Sequence, residues 1–400
     1  MKNPIPNQFI YDVVNQLKIN PKQTEANGSW SKMLFSGSHL WMDTGDYEAA
    51  NRLWTNDFSA LTTNNTLLNA EVQKGVYDSF IKQIGAQLNG MTQDEEVAEV
   101  AFCLNAIHGL YLAKSFNCKV SVELHTNYAH DAELTYVVGK RLFELCKEHF
   151  IIKVPFSPAG LIGARKLHND GIPVNMTLCF SVRQNVLASM IAKPAYSNVF
   201  VGRVGAYFAN NGFTSAGDIG ERVTAETQKC LRKVNERGYA NTKLIAASIR
   251  TVEQLNALVG TDVLTIPVKV VEAFNAQTQV AEPKMIAPSD ALIKQLNLKH
   301  LWQVSDQERE VAVKLSSKVP PSPEVLIELF HKYGCHDVFP ELSQSEVVQL
   351  EEDGKIPHHN KWSGRIENYK IGIDTLLNMA GLSAFKKDQA ALDARIQKYL

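Results

Sequence analysis

Eight short apolar segments, each followed by a longer stretch of helical period, constrain this chain more than any other feature of its sequence. The segments are 39–43, 58–62, 119–124, 150–154, 172–178, 198–204, 243–248 and 263–266. Most are continuously apolar and β-branched rather than alternating, as expected of strands covered on both faces in a parallel sheet. Between them, Thr92 and Glu95 form a capping box ahead of Val97, Val100, Leu104, Ile107 and Tyr111, one apolar face at period 3.6. Residues 131–149, 159–169 and 220–237 read as further helices, with Gly171 and Gly238 where a helix would end. Eight such units over roughly 240 residues predict an α/β fold, a closed (β/α)8 barrel. An open doubly wound sheet would carry a Gly-rich phosphate loop after its first strand, and here DTGDYEA follows instead.

Three regions are expected. Residues 1–34 form an N-terminal arm with a short helix over 9–17, 35–276 the catalytic barrel, and 277–400 a helical C-terminal extension. The extension opens with a Pro-containing connector at 281–288, carries capping boxes at Ser305/Glu308 and Ser343/Glu346, and is broken by Pro320, Pro321 and Pro323. Apolar residues at 45% and charged residues at 21% exclude disorder over most of the length. With 41 basic and 42 acidic side chains there is no net field for nucleic acid or a membrane surface, and aromatic residues do not interleave with basic patches. No apolar run is long enough for a spanning helix, and the N-terminus lacks the apolar core of a signal peptide. Six cysteines without a CxxC pair read as reduced, buried thiols in a cytoplasmic protein. His358-His359 has no partner set, so no metal site is expected, and His125, His130 and His168 read as rim or solvent-facing residues.

In such a barrel the reacting groups stand at the C-terminal ends of the strands. Collecting the polar residues there gives Asp43, Thr62, Thr63, Asn64, Glu123, Lys153, Asn175, Thr177, Arg203, Ser248 and Arg250. Lys153, flanked by apolar β-formers, points into the barrel or the helix layer, and desolvation there lowers a lysine pKa. A neutral amine is what Schiff-base formation with a ketone requires; an idle ion pair with an inward carboxylate is the plain alternative. Asp43 and Glu123 on other strands could move protons at two stages, Glu123 through Thr177 and a water. Arg203 and Arg250 on adjacent strands suggest an anion clamp, against surface ion pairing as the alternative.

These residues carry a resemblance. The stretches MDTGD (42–46), LTTN (61–64), VSVE (120–123), IIKV (151–154), GIPVNMTLCFS (171–181), VFVGR (199–203), AASIR (246–250) and LTIP (264–267) keep their order at successive strand ends, and the sequence resembles the transaldolases, class I Schiff-base aldolase-type enzymes. The resemblance implies Lys153 as the Schiff-base lysine, Asp43 as the acid/base for carbon–carbon cleavage, and Glu123 with Thr177 as holders of a catalytic water. It implies Asn64, Thr62, Asn175, Ser181 and Phe200 around the substrate, and Arg203, Arg250 and Ser248 on its phosphate. The activity implied is transfer of a dihydroxyacetone unit from a ketose phosphate, such as fructose or sedoheptulose 7-phosphate, to an aldose phosphate, as in the pentose phosphate pathway. No metal or organic cofactor is implied, and the partners are small sugar phosphates; self-association is left open. Phe200 and Glu123 stand where the related fructose-6-phosphate aldolases tend to have Tyr and Gln, which favours transfer. Asn65, where the family commonly has Pro, and Asn198, near a usual phosphate-binding Ser, are departures that leave room for a sulfosugar or another ketose. A barrel that only binds a sugar phosphate is the rival of a different class.

Overall fold

A computed structural model of the chain describes residues 4–17, 19–213, 218–277 and 299–400. Its centre is a closed parallel barrel of β1 (His39–Asp43), β2 (Phe58–Thr62), β3 (Lys119–Glu123), β4 (Phe150–Pro155), β5 (Val174–Thr177), β6 (Tyr196–Phe200), β7 (Lys243–Ala247) and β8 (Val263–Pro267), hydrogen-bonded in chain order. Side chains alternate across each strand. One set (Leu40 and Met42 on β1, Ile152 and Val154 on β4) is buried beneath the helices. The other set lines the barrel interior, and register places Glu123 opposite Lys153 and Lys153 opposite Asn175. Both faces are dry, so the strands read as unbroken apolar runs.

Seven segments fall within a few residues of expectation, but the sixth differs. Residues 198–204 were expected as strand; β6 ends at Phe200, and Val201–Asn210 is a helix. Val201, Val204 and Phe208 are buried at helical spacing, so the same valines that suggest a strand serve a helix face. Arg203 consequently sits on the first turn of a helix, not on a strand next to that of Arg250.

Helix Asn7–Gln16 buries Ile10, Val13 and Val14. All three capping boxes close as expected. The connector at 281–288 lies outside the described residues. Beyond it come helices Asp306–Ser317, Pro323–Lys332, Gln344–Asp353, His359–Glu367 and the long Ile373–Tyr399. They are tied to the barrel through Arg183, on the helix after β5, which bonds Asp374 and Asp337 and lies 2.8 Å from Glu308. Helix Ile373–Tyr399 then crosses the C-terminal ends of the strands: Asn378 Nδ2 donates to the carbonyls of Phe156 and Leu178, and Thr66, beyond β2, donates to Asp388.

Candidate active site

Inward alternation brings Asp43, Glu123, Lys153, Asn175 and Phe200 to the C-terminal end of the barrel interior, where a cavity of about 310 Å3 opens. Lys153 is 5% exposed. Its Nζ donates to the Thr63 carbonyl at 3.0 Å and lies 3.8 Å from Glu123 Oε2. Asp43 Oδ1 accepts from Thr62 Oγ1 at 2.7 Å. A hydroxyl has one proton, so with Asp43 ionised the 2.6 Å contact between Thr62 and Thr265 has Thr265 as donor. Burial raises the pKa of both carboxyls, and Lys153 opposes the rise at each. The centre thus holds two acids that keep their protons to higher pH than exposed carboxyls do, around one amine.

Arg203 and Arg250 line the cavity with Ser248 and Phe200. Ser248 adopts φ 59°, a left-handed conformation. Its carbonyl accepts from Gly202 N at 3.1 Å, and a Cβ on Gly202 would stand 2.2 Å from that oxygen. Only glycine lets the helix after β6 approach the turn after β7 this closely, and that approach sets the two guanidinium groups side by side. Burial first, then Arg250, pulls the Arg203 pKa down to about 10. The Arg203 guanidinium lies 5.1 Å from the centre of the Phe200 ring and 5.5 Å from that of Phe385.

Among the described residues, Asn175 Oδ1, Thr177 Oγ1, Asn198 Oδ1 and Arg203 Nη1 are buried without a protein partner. Asn175, Asn198 and Arg203 line the cavity, and unspent polar atoms there are what a polyhydroxylated ligand would satisfy. Glu123 and Thr177 do not line the open cavity but lie in the wall behind it, Glu123 against Lys153.

Two expected residues have structural duties. Ser181 is not on the cavity: it caps the helix Val182–Ala192 and donates to Asp374 Oδ2 at 2.6 Å, because it follows β5 by four residues and begins the next helix. Asn64 lines the cavity, but its Oδ1 accepts from Leu67 N as a helix cap, leaving its Nδ2 for a ligand. His125 is not a rim residue, its side chain being 7% exposed and 3.4 Å from Asp393; Cys146 and Cys230 are only half-buried. His130 and His168 are exposed. The described residues hold no cluster of His, Cys, Asp or Glu fit for a metal ion.

Sequence reading missed Thr265, Lys269, Lys355 and Phe385 on the cavity. Thr265 was findable, since it shares the inward parity of β8 with Val263. Lys355 and Phe385 come from the extension, and no local pattern announces that a helix so far along the chain returns to the barrel mouth.

Fold and site together define a (β/α)8 barrel with a lysine–carboxylate centre at its strand ends. The family described as Transaldolase/Fructose-6-phosphate aldolase matches residues 40–318, and the chain belongs to that family. It is 30% identical over 258 residues to a transaldolase of Xanthomonas euvesicatoria pv. vesicatoria, covering 62% of this chain and 78% of that protein. It is 28% identical over 281 residues to a transaldolase of Saccharomyces cerevisiae, covering 67% and 82%. A transaldolase of Chlamydia muridarum is 30% identical over 271 residues, covering 63% and 79%.

Proposed function

We propose that the chain is a transaldolase acting on phosphorylated sugars through an imine on Lys153. The amine adds to the C2 carbonyl of a ketose phosphate, and the carbinolamine loses water, with Glu123 and Thr177 handling the proton traffic. Asp43 takes the C4 hydroxyl proton, the C3–C4 bond breaks, and its electrons move into the iminium nitrogen to leave an enamine. The released aldose phosphate departs, a second aldose phosphate enters, and the same steps in reverse return the proton from Asp43. Arg203 and Arg250 hold the phosphate of each partner. In this chemistry the lysine itself is the electron sink.

The observation that carries this reading is one amine buried at the barrel mouth, 3.8 Å from Glu123 Oε2, sharing its cavity with Asp43 and two guanidinium groups. Borohydride added with fructose 6-phosphate should leave a reduced dihydroxyacetone adduct on Lys153, seen by peptide mass. No adduct, or an adduct elsewhere, rejects the Schiff base. An aldolase releasing free dihydroxyacetone is the second reading; Phe200 and Glu123 favour transfer, and exchange onto erythrose 4-phosphate without free dihydroxyacetone separates the two. Six unpaired cysteines accord with a cytoplasmic setting, and no described helix is long and apolar enough to cross a membrane.

A further inference from the structure

The opposite end of the barrel holds a second concavity that the aldol chemistry leaves unused. It measures about 510 Å3 and opens at the N-terminal ends of the strands, where His39, Lys119, Tyr196 and Lys243 are the first residues of β1, β3, β6 and β7. His149, just before β4, also lines it. β3 and β7 stand on opposite sides of an eight-stranded closed barrel, so Lys119 and Lys243 face each other across its mouth.

Two observations point to an anionic ligand, and a third to a flat ring on it. The first is direction: Lys119 shares parity with Ser121 and Glu123, and Lys243 with Ile245 and Ala247, residues that turn into the barrel. A lysine that only offset a helix C-terminus would lean outward to the helix layer. The second is unspent capacity: the side chains of Lys119, Lys243, His39 and His149 make no hydrogen bond or ion pair among the described residues. Glu148 is the one acid on the lining. The third is the floor, where Trp41 is buried and meets Tyr196 edge-on with ring centres 4.8 Å apart, leaving Tyr196 half-exposed toward the basin. A cationic pair over an aromatic floor matches a charged group attached to a flat ring.

We propose that this basin binds a small phosphorylated ligand carrying a planar ring, its phosphate bridged by Lys119 and Lys243 and its ring against Tyr196. The site is separate from the lysine chemistry, because the two cavities open at opposite ends of the barrel with Trp41 between them.

Calorimetry on the full chain with ADP and with inorganic pyrophosphate tests it. ADP should bind saturably at one site, more tightly than pyrophosphate, and Lys119→Ala or Lys243→Ala should each weaken it about tenfold. Arg203→Ala should leave ADP binding unchanged, and both lysine variants should turn over sugar phosphates at the wild-type rate. The lysines are exposed, so a melting curve suffices to confirm that the variants fold. No saturable binding at millimolar ADP overturns the proposal. So does binding that survives the double lysine variant, or binding lost with Arg203, which would put the ligand at the other end. Pyrophosphate binding as tightly as ADP removes the ring from the site.

Discussion

Asp43 shows what the site costs the fold. Burial raises its pKa, with Lys153 and the Thr62 hydroxyl only partly opposing. The folded state therefore keeps the carboxyl proton to a higher pH than the unfolded chain does. Stability tied to that preference is complete below the unfolded value of about 4 and is lost as pH rises through the raised folded value. At neutral pH, Asp43→Asn removes a penalised charge and keeps the shape. We expect turnover to collapse while the protein gains roughly 1 kcal/mol, an ordinary size for relieving a functional site. The gain should shrink as pH approaches 4, where the folded wild-type carboxyl is more than half protonated and the unfolded one about half. Melting temperatures of the two proteins measured from pH 4 to 8 check this; a constant difference across that range refutes it. With Asp43 in the role proposed above, we expect the acid limb of kcat/KM to lie above the pH of an exposed aspartate.

At the scale of elements, strands and helices were legible because a parallel barrel demands one pattern everywhere: a short apolar run, then an amphipathic helix. Lys153, Glu123 and Asp43 stood out because ionisable groups in such runs have few places to go. Legibility failed where one pattern serves two structures. Val199, Val201 and Val204 fit a strand or a helix face, and only the packing of Val204 and Phe208 decides for the helix. It failed again at Ser181, where capping and ligand binding ask for the same hydroxyl. Gly202 is where two elements meet most tightly. Gly202→Ala forces the Ser248 turn away, and with it Arg250. KM for a phosphorylated ketose should rise severalfold, with a smaller change for unphosphorylated dihydroxyacetone as donor; an equal rise for both would show that the turn does not set the phosphate site.

For the whole molecule, Arg183 joins barrel and extension. Burial alone would raise the Asp374 pKa, yet Arg183 outweighs it and holds the carboxyl below its usual range. That stability is present above the ordinary carboxylate range and lost as pH falls through the lowered value. Arg183→Met leaves three carboxylates without their cation, and an unfolding free energy lower by about 3–5 kcal/mol is expected from urea titration. A loss below 1 kcal/mol would mean that the extension is held by apolar contacts alone. The mouth depends on this attachment, since Phe385 and Lys355 reach the cavity only from the extension. The Thr66–Asp388 bond joins positions 322 residues apart. We expect this attachment, which lies outside the hydrogen-bonded sheet, to open before the barrel does on heating. A sample warmed gradually should therefore lose its catalytic competence while the barrel still gives a native circular-dichroism signal, and regain it promptly on cooling.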